Sequence, residues 1–174
     1  MKYYIVSQDT RINDIVHVIN GPMDINFTHI CHEKAHYIRS RTLLTCRPNQ
    51  KLIFSDILTM PFLMFSAKLR RIVSIYQNDI PYKEIVLLEQ KHCLTSLYFL
   101  PIVPILECVT NPFRSSEGFK SNHKPILDYD QCKNLSIFKF KEIGSIHTVI
   151  SLELLESILI RKCVGIMFEQ VNMC

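Results

Sequence analysis

The chain has 174 residues, 48% of them hydrophobic, and a net charge of +4 with histidine neutral. We expect one domain spanning residues 1–174, because a chain of this length buries roughly two-thirds of its unfolded surface without help from a disulfide or a metal. Charges of both signs are scattered, and the longest basic run is Arg70-Arg71. The sequence therefore lacks the basic stripe that is typical of nucleic-acid-binding proteins.

The cysteines and the N-terminal residues predict in which cellular compartment the protein resides. Seven cysteines occur in an odd number, at wide spacings and without a C-x-x-C pair, which predicts free thiols in a reducing environment. The first nine residues lack the apolar core of a signal peptide. The most apolar segment, residues 97–109, is too short to cross a bilayer and is interrupted by prolines. We expect a cytoplasmic protein with no membrane partner.

Several segments before residue 110 give few clear elements. Residues 1–7 are rich in Tyr, Ile and Val and predict an opening strand. Residues 23–47 are polar and rich in histidine, and their pattern predicts no element. Lys51–Phe54 has the composition of a short strand. Residues 97–109 predict a strand that prolines confine to a sheet edge or a bend.

The segment after Pro61 predicts a strand–helix–strand unit. An apolar strand, Phe62–Phe65, leads to Ser66, whose hydroxyl can accept from a free amide of the first helical turn. Apolar residues then recur at intervals of three and four, which is one face of a helix: Leu69, Ile72, Val73 and Tyr76. A return strand follows at Glu84–Leu88.

The C-terminal part repeats this pattern after a strand at Ile137–Phe140. Thr148–Ile150 predicts a strand, and Ser151 is a second candidate helix cap, with Glu153 in the first turn where the helix dipole favours an anion. The helical stripe that follows consists of Leu154, Leu155, Ile158 and Leu159. A last strand is predicted at Ile166–Val171.

The two units suggest the fold class. Leu69 and Val73 in the first helix correspond to Leu154 and Ile158 in the second, counted from the two cap serines. We predict an α/β (α+β) fold, with a mixed sheet built from two strand–helix–strand units. Between them, residues 111–134 carry several turn-forming residues and predict a long irregular loop.

These units resemble the immunity proteins of bacterial polymorphic toxin systems, in the group of immunity protein families 11 and 43. The resemblance is strongest over residues 50–171 and rests on a Ser-x-x-Leu helix, a central strand near Tyr98–Ile102, a Ser-x-Glu-Leu helix and a final Gly-x-x-Phe strand. It implies a cytosolic protein that binds and blocks a cognate toxin, has no enzyme activity and uses no cofactor. The family provides no fixed binding residues, and the histidine-rich N-terminal third departs from its pattern.

One motif suggests different chemistry. His32, Glu33 and His36 form H-E-x-x-H, which on a helix places two histidines on one face to hold zinc, with the glutamate as general base. The extended form of the motif fails, because Arg39 and Thr42 occupy its glycine and third-histidine positions.

A catalytic zinc also needs a third protein ligand. Asp56 is the only carboxylate at a plausible nearby distance along the chain, while His29 and Cys31 could contribute to a non-catalytic metal site. Ordinary surface histidines explain the same residues. The four glycines are scattered at 21, 118, 144 and 165, so the sequence has no phosphate-binding loop.

The sequence thus leaves three functions open. We expect a stoichiometric toxin inhibitor, with a zinc-dependent hydrolase that uses His32 and His36 and a scaffold protein without a toxin partner as the alternatives. Interfaces concentrate affinity in aromatic and arginine residues, and loops on a rigid scaffold often carry function. The predicted partner-binding residues therefore lie in the loop: Arg114, Phe119, Lys120 and Tyr129. The sequence assigns no oligomeric state.

Overall fold

The computed structural model describes residues 2–20, 25–49, 51–110, 125–142 and 144–174. Within these ranges the chain forms three α-helices, two short 3₁₀-helices and twelve strands. The α-helices are α1 (Ala67–Tyr76), α2 (Tyr129–Cys132) and α3 (Leu152–Ile160), and the 3₁₀-helices span Phe27–His29 and Ala35–Tyr37. The predicted mixed α/β class is confirmed, but the strands are divided between two large sheets instead of one.

Sheet I contains five strands from the middle of the chain. Their order is β2 (Arg41–Thr45), β5 (Tyr82–Glu89), β6 (Leu94–Pro101), β4 (Met64–Ser66) and β3 (Ile57–Leu58). The edge pair β2–β5 is parallel and the other pairs are antiparallel.

Sheet II combines the N-terminal strand with the C-terminal part of the chain. Its order is β11 (Ile166–Gln170), β1 (Tyr3–Gln8), β10 (Ser145–Ser151), β9 (Ile137–Glu142) and β7 (Ile105–Leu106). Only the edge pair β7–β9 is parallel. A two-stranded parallel ribbon is formed by β8 (Ile126–Leu127) and β12 (Asn172–Met173).

Both predicted helix caps are confirmed. Ser66 ends β4 and its Oγ accepts from the N–H of Leu69 at 3.1 Å, while Ser151 ends β10 and its Oγ accepts from the N–H of Leu154 at 3.4 Å. Each serine thereby satisfies one of the free amides at a helix start. Leu69 and Leu154 are buried as predicted.

The two units share one arrangement of strands. The order β3, β4, β6, β5 in sheet I matches the order β9, β10, β1, β11 in sheet II, and all of these pairings are antiparallel. In the first unit the strand β6 follows β5 directly. In the second unit β1 occupies the same place. This unit therefore combines the N-terminal strand with strands from the C-terminal part of the chain.

A shared core joins the units. Helices α1 and α3 pack together, and their apolar faces meet buried residues of both sheets, among them Phe65 of β4, Ile150 of β10 and Ile137 of β9. Further along β9 and β10, the face that carries Ile137 and Ile150 continues to Lys139 and Thr148, because side chains two residues apart share a face.

Some expectations for the loops are wrong. Lys51–Phe54 is not a strand: Ile53 makes only an isolated bridge to Ile15, and the strand follows at β3. The predicted irregular loop 111–134 is partly regular, since its described part contains β8 and α2. Among the described residues, no helix is long and apolar enough to cross a membrane.

Candidate functional site: the Lys139 groove

A groove of about 760 Å³ lies between sheet II and two loop segments, residues 27–31 and 59–63. We call it the Lys139 groove. Its volume falls within the usual range of roughly 300–1,000 Å³ for ligand-binding sites in proteins. Sheet II contributes one wall, from residues of β1, β7, β9 and β10, and the loop segments contribute the other.

Lys139 is the most deeply buried charged side chain that lines the groove, with 8% of its surface exposed. It lies in β9, opposite Thr148 of β10 and beside Ile105 of β7. Its backbone N–H donates to the carbonyl of Pro104 at 2.8 Å, which fixes the strand at this point. Its neighbours Phe138 and Phe140 face the other side of sheet II and are fully buried there.

The Lys139 ammonium has no counter-ion among the described residues, and none of them accepts a hydrogen bond from it. Desolvation disfavours the charged form, and burial lowers the pKa of Lys139 to about 8. The groove therefore holds a largely buried cation that has no described counter-ion, an arrangement that costs stability.

A second lysine lines the groove. Lys141, two residues further along β9, is exposed, and the ring of His147 stacks on Phe140 with centroids 5.1 Å apart. The described lining residues include no aspartate or glutamate. His147 Nε2 lies 3.8 Å from a carboxylate oxygen of Glu142, which is not among the lining residues. The groove is accordingly electropositive and suited to an anion.

The opposite wall is apolar and accessible. Met60 is 71% exposed and Phe27 is 49% exposed, and Phe27 packs edge-on against Phe62 with ring centroids 6.0 Å apart. The segment is held by Asn26, whose side chain accepts from the N–H of Thr28 at 3.0 Å. Exposed large apolar side chains beside a groove are typical of interaction surfaces.

The H-E-x-x-H motif does not lie on an α-helix, so the helical geometry that the zinc hypothesis requires is absent. His32 lies in a turn and His36 in the 3₁₀-helix Ala35–Tyr37, and both side chains are exposed. A 3₁₀-helix has about three residues per turn, so residues four apart do not share a face. The His36 ring instead contacts Tyr37, with centroids 4.0 Å apart.

The remaining candidate ligands are dispersed. Asp56 is buried at the start of α1, where it accepts from the hydroxyl of Ser66 and, at 2.8 Å, from the N–H of Val164. Cys31 Sγ donates to the carbonyl of Thr28 at 3.7 Å. Across the described ranges, no group of three or more His, Cys, Asp or Glu side chains could hold a metal ion.

The predicted partner-binding loop has only one residue in the described structure. Arg114, Phe119 and Lys120 lie outside the described residues. Tyr129 is the first residue of α2, where it is half-buried against the core of sheet II, and its N–H donates to the carbonyl of Cys174 at 3.2 Å. Tyr129 is not among the residues that line the Lys139 groove.

The sequence analysis missed Lys139 as a candidate. The alternation Ile137-Phe138-Lys139-Phe140 indicates a strand. In such a strand a lysine between two phenylalanines is expected to point its side chain into solvent. The one signal in the sequence is that Lys139 shares a strand face with Ile137, an apolar residue.

Neither a scan against protein-family models nor a search of curated proteins gives a match for this chain.

Proposed function

We propose that the protein is a cytosolic immunity protein, which binds a cognate bacterial polymorphic toxin one-to-one and blocks it, and that the toxin docks in the Lys139 groove. The observation that supports this proposal is the groove itself, which combines an accessible apolar wall with a buried cation. A partner protein supplies both kinds of contact that such a surface lacks: apolar area and a counter-charge.

The resemblance to immunity proteins adds independent support. Its Ser-x-x-Leu and Ser-x-Glu-Leu motifs coincide with the two capped helices, α1 and α3, and its final Gly-x-x-Phe strand coincides with β11. These residues form the scaffold on which the groove rests. The groove is lined mainly by residues outside these motifs, as expected if related scaffolds bind different toxins through different surfaces.

The test is co-expression with each protein encoded beside this gene, and the candidate toxin is the one whose expression alone stops growth. Wild-type protein should restore growth, and the purified pair should elute as a one-to-one complex in size-exclusion chromatography with light scattering. Failure of the wild-type protein to protect or to bind would contradict the proposal and favour a scaffold without a toxin partner. Protection at far less than one equivalent would contradict stoichiometric inhibition.

Variants distinguish the groove from the loop. Met60→Asp places a charge on the apolar wall of the groove and should abolish protection. A triple alanine variant at Arg114, Phe119 and Lys120 should leave protection intact. Lys91→Glu, an exposed position in the turn between β5 and β6, is the matched control for a surface charge change. Loss of protection only in the triple variant would place the interface in the loop.

A further inference from the structure

We infer that Lys139 anchors a single carboxylate of the partner, the side chain of an aspartate or glutamate that projects into the groove from an otherwise apolar segment. This inference rests on the proposed function and specifies the chemistry of its binding surface. It assigns a role to Lys139 that the fold itself does not require, because a strand buried on both faces is more stable with an apolar residue at this position.

The first argument is the unbalanced charge of Lys139. Its stem is covered by sheet II, and its ammonium has no acceptor among the described residues. A carboxylate that enters the groove would form a charge-assisted hydrogen bond of about 2.7–2.9 Å with this ammonium. Since burial in the folded protein has already removed much of the water around Lys139, most of the desolvation that remains on binding is that of the partner's acid.

The second argument concerns the number of charges. Among the described lining residues, Lys139 is the only buried cation, and Lys141 stands at the exposed margin of the groove. One ammonium matches the single charge of a carboxylate. A phosphate carries more charge and is usually held by several donors or by the fork of an arginine, and no arginine lines the described groove.

The third argument concerns the source of the carboxylate. The volume of about 760 Å³ is several times that of one side chain, so an isolated acidic residue would leave most of the groove empty. The exposed apolar side chains of Met60, Phe27 and Ile146 border this space. A protein segment that carries apolar residues on both sides of an acid would cover them and exclude water from the ion pair.

The experiment uses the full-length protein and the toxin identified by the co-expression test, with affinity measured by calorimetry. Lys139→Met keeps the length of the side chain and removes the charge, and should weaken binding by about 30-fold or more, as truncation of one partner of a buried pair does. Lys139→Arg should retain binding to within about tenfold. Lys141→Met, at the margin, should change affinity by less than about fivefold.

A charge-reversal selection identifies the partner residue. Lys139→Glu should abolish protection, and toxin variants that restore binding to it should carry an Asp→Lys or Glu→Lys change at one position. Restoration only by changes elsewhere would contradict the direct pairing.

The outcomes separate this inference from the proposed function. If the wild-type protein does not bind the toxin, both fail. If the wild-type protein binds and Lys139→Met binds within roughly threefold of it, the proposed function stands and the anchor is wrong. Native mass spectrometry of the purified protein tests the other occupant: a stoichiometric small carboxylate lost on Lys139→Met substitution would overturn the assignment to a partner side chain.

Discussion

Tyr3 and Tyr98 occupy equivalent positions in the two units of the fold, although one lies near the N-terminus and the other in the middle of the chain. Tyr98 is paired with the cap residue Ser66, and Tyr3 with the cap residue Ser151. Both tyrosines are fully buried, and each hydroxyl donates to the segment just before the first strand of its unit, β3 or β9. Tyr98 donates to Ser55, before β3, and Tyr3 lies within hydrogen-bond distance of two carbonyls before β9, those of Cys132 at 2.7 Å and Leu135 at 3.1 Å.

This equivalence predicts matched losses of stability. Tyr98→Phe and Tyr3→Phe each remove a buried hydroxyl that donates to the main chain, and each should lower the free energy of unfolding by about 1–3 kcal/mol. Tyr37→Phe, at a side chain that is largely exposed, should stay within about 0.5 kcal/mol of wild type. Urea denaturation of the three variants measures these values. A neutral result for either buried tyrosine would mean that its hydroxyl bond is not part of the folded unit.

The helix caps were predictable because their chemistry is local. Ser66 and Ser151 each precede an apolar stripe at helical spacing, and the hydroxyl that caps the helix acts within three residues of its own position. The place of β1 was not predictable in this way. Residues 1–7 predict a strand, but its pairing between β10 and β11 joins segments more than 140 residues apart in sequence, and no periodicity encodes such a pairing.

The two helical faces give a second prediction. Leu69→Ala in α1 and Leu154→Ala in α3 remove buried side chains from the core shared by both sheets, and each should cost about 2–5 kcal/mol. Leu159→Ala is the control, since Leu159 lies on the exposed side of α3 and should change stability by less than about 0.5 kcal/mol. Chemical denaturation checks the ranking. Equal effects at Leu154 and Leu159 would show that the buried face of α3 is assigned incorrectly.

A close approach of two backbones gives the third prediction. Gly165 has φ +75°, and a Cβ there would lie 2.4 Å from the Cβ of Ser55. Gly144 has a similar φ of +79° but faces open space. Gly144→Ala should therefore cost only the left-handed backbone term of about 1–2 kcal/mol. Gly165→Ala should cost about 1–3 kcal/mol more, because Ser55 must move.

The difference between the two glycine variants is the informative quantity in a denaturation experiment, since both share the same backbone term. Equal losses would mean that the loop after α3 shifts away from Ser55 freely. That outcome is unexpected because Asp56, the next residue, holds the same loop through the N–H of Val164.

The candidate site was less predictable than the fold. Its described walls come from residues 5–7, 27–31, 59–63, 105, 139, 141 and 145–148, and no one of these segments has a motif. The motif that the sequence does contain, H-E-x-x-H, predicts zinc only if it lies on an α-helix, and the turn at His32 prevents this. Lys139 could not be identified as a candidate from the sequence, because its burial arises only when the assembled sheets cover both faces of β9.

The last prediction concerns the conflict between stability and function at Lys139. Its pKa is lowered from 10.5 to about 8 by burial, so between pH 8 and pH 10.5 the unfolded chain binds more protons than the folded protein. In this window folding releases a proton from Lys139. The free energy of unfolding must then rise with pH, because release of that proton becomes easier as the pH rises. Below pH 8 the full cost of burying the charge is present. A shift of this size corresponds to about 3 kcal/mol.

Lys139→Met should therefore be more stable than wild type at pH 7, and its advantage should shrink as the pH rises through 8 towards 10.5. Denaturation of both proteins across this range measures the difference, which cancels the titration of all other groups that the substitution leaves unaffected. The other titratable groups among the described lining residues, Cys31, Lys141 and His147, are common to both proteins. A residue whose replacement raises stability but abolishes toxin binding is retained for function. If Lys139→Met is less stable than wild type at every pH, the ammonium has a stabilising partner in the folded protein, and it is not available to a carboxylate from outside.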